Sequence, residues 1–219
     1  MLLRHRLPAD LLTPLSAYLA LRAEGASLLL ESADQGERVG RHSFVLIQGE
    51  GELRLDPPGH GWVEALRALA GAGETSTGEL TADSELPDGR APMPMGVGCA
   101  GYLGFEALGA LEPTLSPPAK NSLGLPTVWM RRFDAALVFD HLHQVAELQV
   151  MAPSKVMATA RIHALREALK APAIPADEPG APIAEPLLSR ETYEAFVHRV
   201  LDLIHDGDIY QLVPSQRIK

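Results

Sequence analysis

The chain reads as an α+β protein, with antiparallel sheets packed with helices, and three observations carry that reading. Runs rich in Leu, Val, Ile and Phe at 27–31, 42–48 and 52–55 have strand composition and succeed one another in antiparallel connection. Helical stripes stand between and after such runs, without the regular strand–helix alternation that a doubly wound sheet needs. A proline-rich stretch at 171–186 separates the last helix and the strand predicted after it from everything before.

Taken in order, Thr13 is placed to cap a short helix with Pro14 at its first position, and Leu15, Tyr18 and Leu19 predict its apolar stripe. Gly25 is its stop. The first two strands come next, and Gly49-Glu-Gly51 reads as a turn into the third. Residues 62–70 predict an amphipathic helix with Trp62, Leu66 and Leu69 on one face. The Gly-, Ser-, Thr- and Asp-rich composition of 71–94 predicts a surface connection. Apolar, Gly-rich 95–103 predicts a buried strand where backbones approach closely. Residues 127–140 and 144–150 form the next hairpin, and 153–170 a helix. After the five prolines of the linker, Ser189 opens a helix carrying Tyr193, Phe196, Val197, Val200 and Ile204 at helical spacing, closed by Gly207. A strand is then expected to run into Pro214. With no later strand to pair it, the chain reads as the front part of a larger protein.

Composition bounds the function. Hydrophobic residues make up 46% of 219, enough for a core, and no run approaches the roughly 18 apolar residues of a membrane span. The N-terminus carries Arg4 and Arg6, but Pro8 and polar residues break up the stretch after them, so it does not read as a secretory signal. A net charge of −9 argues against nucleic acid as a partner. The single cysteine, Cys99, rules out an internal disulfide and fits a reducing compartment, so a cytoplasmic protein is expected. His141 and His143, two apart on a predicted strand, point to opposite faces with no third ligand near, and are set aside as a metal site.

Five motifs in order carry a resemblance: Asp10-Leu-Leu-Thr-Pro-Leu-Ser-Ala-Tyr-Leu19; Leu28-Leu-Leu-Glu-Ser32 with Gly36-Glu-Arg-Val-Gly-Arg-His-Ser-Phe44; Gly101-Tyr-Leu-Gly-Phe-Glu106; Phe133-Asp-Ala-Ala-Leu-Val-Phe-Asp-His141; and Gly207-Asp-Ile-Tyr-Gln-Leu-Val-Pro-Ser-Gln-Arg217. Together they resemble anthranilate synthase component I, a chorismate-binding enzyme family. The resemblance implies two sheets packed between helices, cut before the end of the chorismate-binding domain. It divides the chain into an N-terminal regulatory domain at 1–170, the linker at 171–186, and the start of the chorismate-binding domain at 187–219.

The family's reaction, implied here by resemblance, converts chorismate and ammonia to anthranilate and pyruvate. Glutamine supplies the ammonia through a separate amidotransferase subunit, component II. The resemblance also implies Mg²⁺, with its glutamate ligands, the acid–base histidine and the carboxylate-binding Arg and Lys groups downstream of residue 219. Glu31 and Ser32 match the element that lines the family's feedback site for L-tryptophan. A carboxylate suits the ammonium of an amino acid, and a hydroxyl a neighbouring polar atom. As ordinary sequence, the pair is a strand end and a turn-former. Arg41 is expected to support the site by orienting Glu31; an exposed hairpin arginine is the other reading. His42 stands where the family usually has Tyr.

Gln211 occupies the position at which related isochorismate and salicylate synthases resemble this chain but carry a lysine that activates water. An amide takes no proton at neutral pH, whereas free ammonia is already nucleophilic, so Gln211 favours amination over hydration. A polar strand residue bonded to a neighbour is the alternative. Val213-Pro214 before Ser-Gln-Arg resembles the anthranilate type more than the aminodeoxychorismate type. The resemblance thus leaves three functions: part of an anthranilate synthase, inactive alone; the matching part of an aminodeoxychorismate synthase; or an amino-acid-sensing module without catalysis.

Overall fold

The structure, a computed structural model, describes residues 1–31, 40–56, 58–71, 93–112, 114, 123–171 and 184–218. Two compact units divide at Ile174 and Pro175. The expected linker at 171–186 therefore falls mostly, and the 71–94 connection almost wholly, outside the described residues.

The first unit is built on one antiparallel sheet of six strands: β1 (Leu2–Pro8), β2 (Ala26–Leu30), β3 (His42–Leu55), β4 (Gly98–Leu103), β5 (Val128–Asp140) and β6 (Val145–Met151). The order across the sheet is β1-β6-β5-β3-β2, and β4 pairs with the N-terminal half of β5. Helices α1 (Pro14–Ala20) and α4 (Lys155–Ala168) cover one face, α2 (Trp62–Ala70) packs at the far end, and a single turn, α3 (Leu108–Leu111), follows β4.

Period-2 alternation puts Val45 and Ile47 of β3 with Leu137 and Phe139 of β5 on the helical face, against Ala17, Leu21, Ala158, Ile162 and Leu165. Leu46, Ala136 and Val138 point the other way, into a second cluster closed by Met93 and Val97. β5 is buried on both faces, which is why 135–139 is unbroken apolar sequence. Trp62 and Leu66 of α2 pack on Val128, Leu53 and Leu55 in a third cluster.

Several expectations need correction. Thr13 does cap α1, in a reciprocal capping box with Ser16, but the buried side carries Ala17 and Leu21 while Leu15 is exposed. Residues 49–51 are no hairpin turn. They form an irregularity within β3, with Gly51 at a φ of 113° that a side chain would strain, and 52–55 keep β5 as their partner. The predicted strand 95–103 is regular only from Gly98, and its outer residues are exposed because β4 has one sheet neighbour among the described strands. The close backbone approach is real at Gly101, where a Cβ would stand 2.0 Å from the Trp129 carbonyl oxygen.

β1 is absent from the sequence-based expectations, because Arg4 and Arg6 look like surface charges. They face Glu147, whose side chain is 1% exposed: Arg4 Nη1 stands 3.0 Å from Oε1 and Arg6 Nε 3.1 Å from Oε2. Gln149 Nε2 adds a bond to Oε1 at 3.0 Å and another to the Pro94 carbonyl at 2.9 Å. Its Oε1 accepts from Gly96 N at 2.8 Å, and Arg4 also donates to the Met93 carbonyl at 2.9 Å. Side chains, not ladder bonds, thus hold residues 93–96 against the sheet.

The second unit contains α5 (Arg190–His205), capped by Ser189 accepting from Thr192 N, with Gly207 at a φ of 81° beyond its end. The strand expected to run into Pro214 is not formed. Among the described residues this stretch has one isolated bridge, Pro186 to Ile218, and Leu187 N donates to the Arg217 carbonyl. An extended segment becomes a strand only where a neighbour supplies the ladder, and among the described residues none lies beside it.

Candidate functional site

Glu31 and Arg41, which the sequence reading pairs, both stand beside strand ends in the first unit. β2 ends at Leu30, paired with Phe44, so Glu31 leaves the sheet one residue beyond that pair, exposed. β3 begins nearby with His42 and Ser43, just after Arg41, and the register sets His42 opposite Asp140, the last residue of β5. Ser32 and Arg38 lie outside the described residues.

Asp140 is the hub of this end, with a side chain 6% exposed. Arg41 donates to it through Nε at 3.2 Å and Nη2 at 2.6 Å, a two-pronged pair of the kind guanidinium geometry suits. The backbone N–H groups of Leu142 and His143 reach Oδ1 at 3.1 and 3.2 Å, and His143 Nδ1 lies 2.9 Å from Oδ2. With a carboxylate on that nitrogen, the Nδ1–H tautomer is the one that bonds. The 141–144 turn is tied further by His141 N to the Arg41 carbonyl at 2.9 Å, and by His141 Nε2 to the buried Ser43 hydroxyl at 2.7 Å.

Arg41 is therefore committed to Asp140, and the expected orientation of Glu31 by Arg41 is not what the fold makes. The reason is position: Asp140 lies across the ladder from the residue next to Arg41, whereas Glu31 stands past the end of β2. Nor are His141 and His143 opposite-facing strand residues; both sit in the turn, each with its own partner.

Burial pushes the Asp140 carboxyl upward, but the bonds from Arg41 and from the side chain and backbone of His143 outweigh it and hold it well below the usual carboxylate range. His42 moves down, because burial disfavours its charged form; Asp140 pulls the other way, and Arg41 and His141 push it lower still. Both shifts mean that the unfolded chain binds more protons, so acid destabilises the fold. The His42 contribution is present above about pH 6.5 and is lost below it; the Asp140 contribution is present above about pH 4 and is lost as the pH falls further. Urea unfolding between pH 3 and 8 should show Asp140→Asn less stable than the parent at neutral pH and flatter below about pH 4. Parallel pH profiles would contradict this assignment.

Among the described residues no group of three or more His, Cys, Asp or Glu side chains is arranged to hold a metal ion. The Mg²⁺ implied by resemblance does not fit them. No described helix is long and apolar enough to cross a membrane. An open cleft of about 450 Å³ lies on the β1 side of the sheet, with Leu7, Leu12 and Leu169 in its lining and Arg166 and Lys170 at the end of α4. Those cations complement a helix C-terminus, and Lys170 is bonded to Glu167.

Residues 25–219 match the family described as chorismate binding enzyme. The chain belongs to that family. Anthranilate synthase component 1 of Pseudomonas aeruginosa is 33% identical over 230 residues, covering 96% of this chain and 46% of that protein. The Thermus thermophilus protein of the same name is 32% identical over 220 residues, with the same two coverages. A crystal structure of anthranilate synthase component I from Streptococcus pneumoniae matches with a TM-score of 0.58 at 20% identity, over 98% of this chain and 48% of that one, and shows the fold. The chain spans about half the length of the curated relatives it matches.

In this chain, the second unit places Gln211 on the irregular segment after α5, exposed. The Tyr193 hydroxyl donates to the Pro214 carbonyl of that segment at 3.5 Å. Sequence reasoning missed the Asp140 hub: the residue stands in one of the five motifs, but its partner Arg41 is 99 positions away.

Proposed function

We propose that this chain is the effector-sensing N-terminal part of an anthranilate synthase component I, acting in tryptophan biosynthesis. In a full-length polypeptide, chorismate and ammonia would give anthranilate, pyruvate and water. Component II, a glutamine amidotransferase, would release the ammonia. The observation that carries the reading is that both sequence relatives, matched along nearly the whole of this chain, bear that name. Mg²⁺ belongs to the reading as the family's metal, with carboxylate ligands outside residues 1–219.

Within the chain, Glu31 and Ser32 would take L-tryptophan, the carboxylate pairing with its ammonium and the hydroxyl with a second polar atom. Arg41 supports that end of the sheet through Asp140 and not through Glu31. Gln211 enters as an active-site residue suited to amination, because its amide cannot act as the base that hydration of the substrate needs.

The test compares residues 1–219 with a full-length family polypeptide that carries them, each supplied with chorismate, ammonia and Mg²⁺. The full-length protein should form anthranilate, read by its fluorescence, and residues 1–219 alone should form none. Anthranilate from the isolated 219 residues, or an amination product that keeps its enolpyruvyl group from the full-length protein, would overturn the reading.

A further inference from the structure

The buried carboxylate of Asp140 binds two different connections at once. One is Arg41, the residue before β3, through both guanidinium prongs. The other is the 141–144 turn, through two backbone N–H groups and the His143 ring. The two connections also touch each other: His141 N donates to the Arg41 carbonyl, and the His141 ring meets the Ser43 hydroxyl. A strand end that merely needed a turn-former would use the N–H bonds alone. The added bidentate arginine fixes the backbone that enters β3, beside the end of β2 from which Glu31 departs.

We propose that Asp140 is the positioning residue of the effector site, setting through Arg41 and the 141–144 turn the strand ends that present Glu31 to the amino acid. This rests on the tryptophan reading above. Asp140 itself does not touch the effector. An asparagine keeps the shape but replaces a charged acceptor with an amide that cannot accept both prongs. The strand ends then sample other positions, and the effector must select the productive one, which weakens its apparent affinity.

The experiment is tryptophan inhibition of a full-length polypeptide carrying these residues, for the parent, Asp140→Asn, Arg41→Gln and the double variant. Asp140→Asn should raise the half-inhibitory concentration about tenfold, inside the roughly 5- to 150-fold range of couplings between sites. Its kcat and KM for chorismate should stay at parental values. The double variant should shift by less than the two single shifts combined, because both remove the Arg41–Asp140 pair. Hydrogen exchange at the His141, Leu142 and His143 amides should speed up. Should Asp140→Asn not fold, Arg41→Lys, which keeps the charge and loses the fork, is read the same way.

An inhibition curve for folded Asp140→Asn that overlays the parent, or additive shifts in the double variant, would overturn the proposal and leave the tryptophan reading intact. A parent that tryptophan does not inhibit would overturn both.

Discussion

Removing the Glu147 carboxylate should destabilise the first unit by about 3–5 kcal/mol, the usual cost of breaking a buried ion pair from one side. The side chain is 1% exposed and receives Arg4, Arg6 and Gln149. Glu147→Ala leaves two largely buried guanidinium groups facing a void where their shared counter-charge stood. It also loosens the Arg4 and Gln149 bonds that hold 93–96 over the second core cluster. At about 2–4 °C per kcal/mol for a chain of this size, the melting temperature should fall by roughly 6–20 °C. Glu194→Ala is the control: its pair with Arg190 is exposed on both sides and contributes at most about 1 kcal/mol. Equal losses for the two variants in thermal unfolding would mean that the Arg4–Glu147–Arg6 network is not structural.

The larger functional effect is expected at Ser32. In a full-length polypeptide, Ser32→Ala should weaken inhibition by tryptophan through loss of one polar contact, which typically contributes about 0.5–1.5 kcal/mol, or up to ~3 beside a charged group. At about 1.4 kcal/mol per decade, the half-inhibitory concentration should rise between a few-fold and roughly a hundredfold. Glu31→Gln should act in the same direction, by removing the charge proposed to face the ammonium. Neither should change turnover without tryptophan, since the reacting carbon is assigned to the chorismate-binding domain. A turn-forming serine and a surface glutamate would instead leave the inhibition curve in place, so a curve for folded Ser32→Ala that coincides with the parent's decides against the contact.

Elements with local signals were legible in the sequence. The Thr13 and Ser189 caps, the Trp62 stripe and the β5–β6 hairpin each arise from residues close in sequence. The features that stayed hidden depend on distant partners. β1 hid behind two arginines that pair with Glu147, more than 140 positions away. Residues 49–51 look like a turn unless one knows that β5 continues past them as a partner. The segment into Pro214 has strand composition, yet composition does not supply a neighbouring ladder. At the end of the sheet where β2 stops, Glu31 was singled out by family resemblance alone. The Asp140 hub was not, because it exists only once β3 and β5 are set side by side.

The most direct measurement is the initial rate of product formation from chorismate and ammonia by a full-length polypeptide carrying these residues, over a titration of tryptophan. The expected result is anthranilate, at a rate that falls toward zero as tryptophan rises. A product that retains its enolpyruvyl group, or a rate indifferent to tryptophan, would contradict the account.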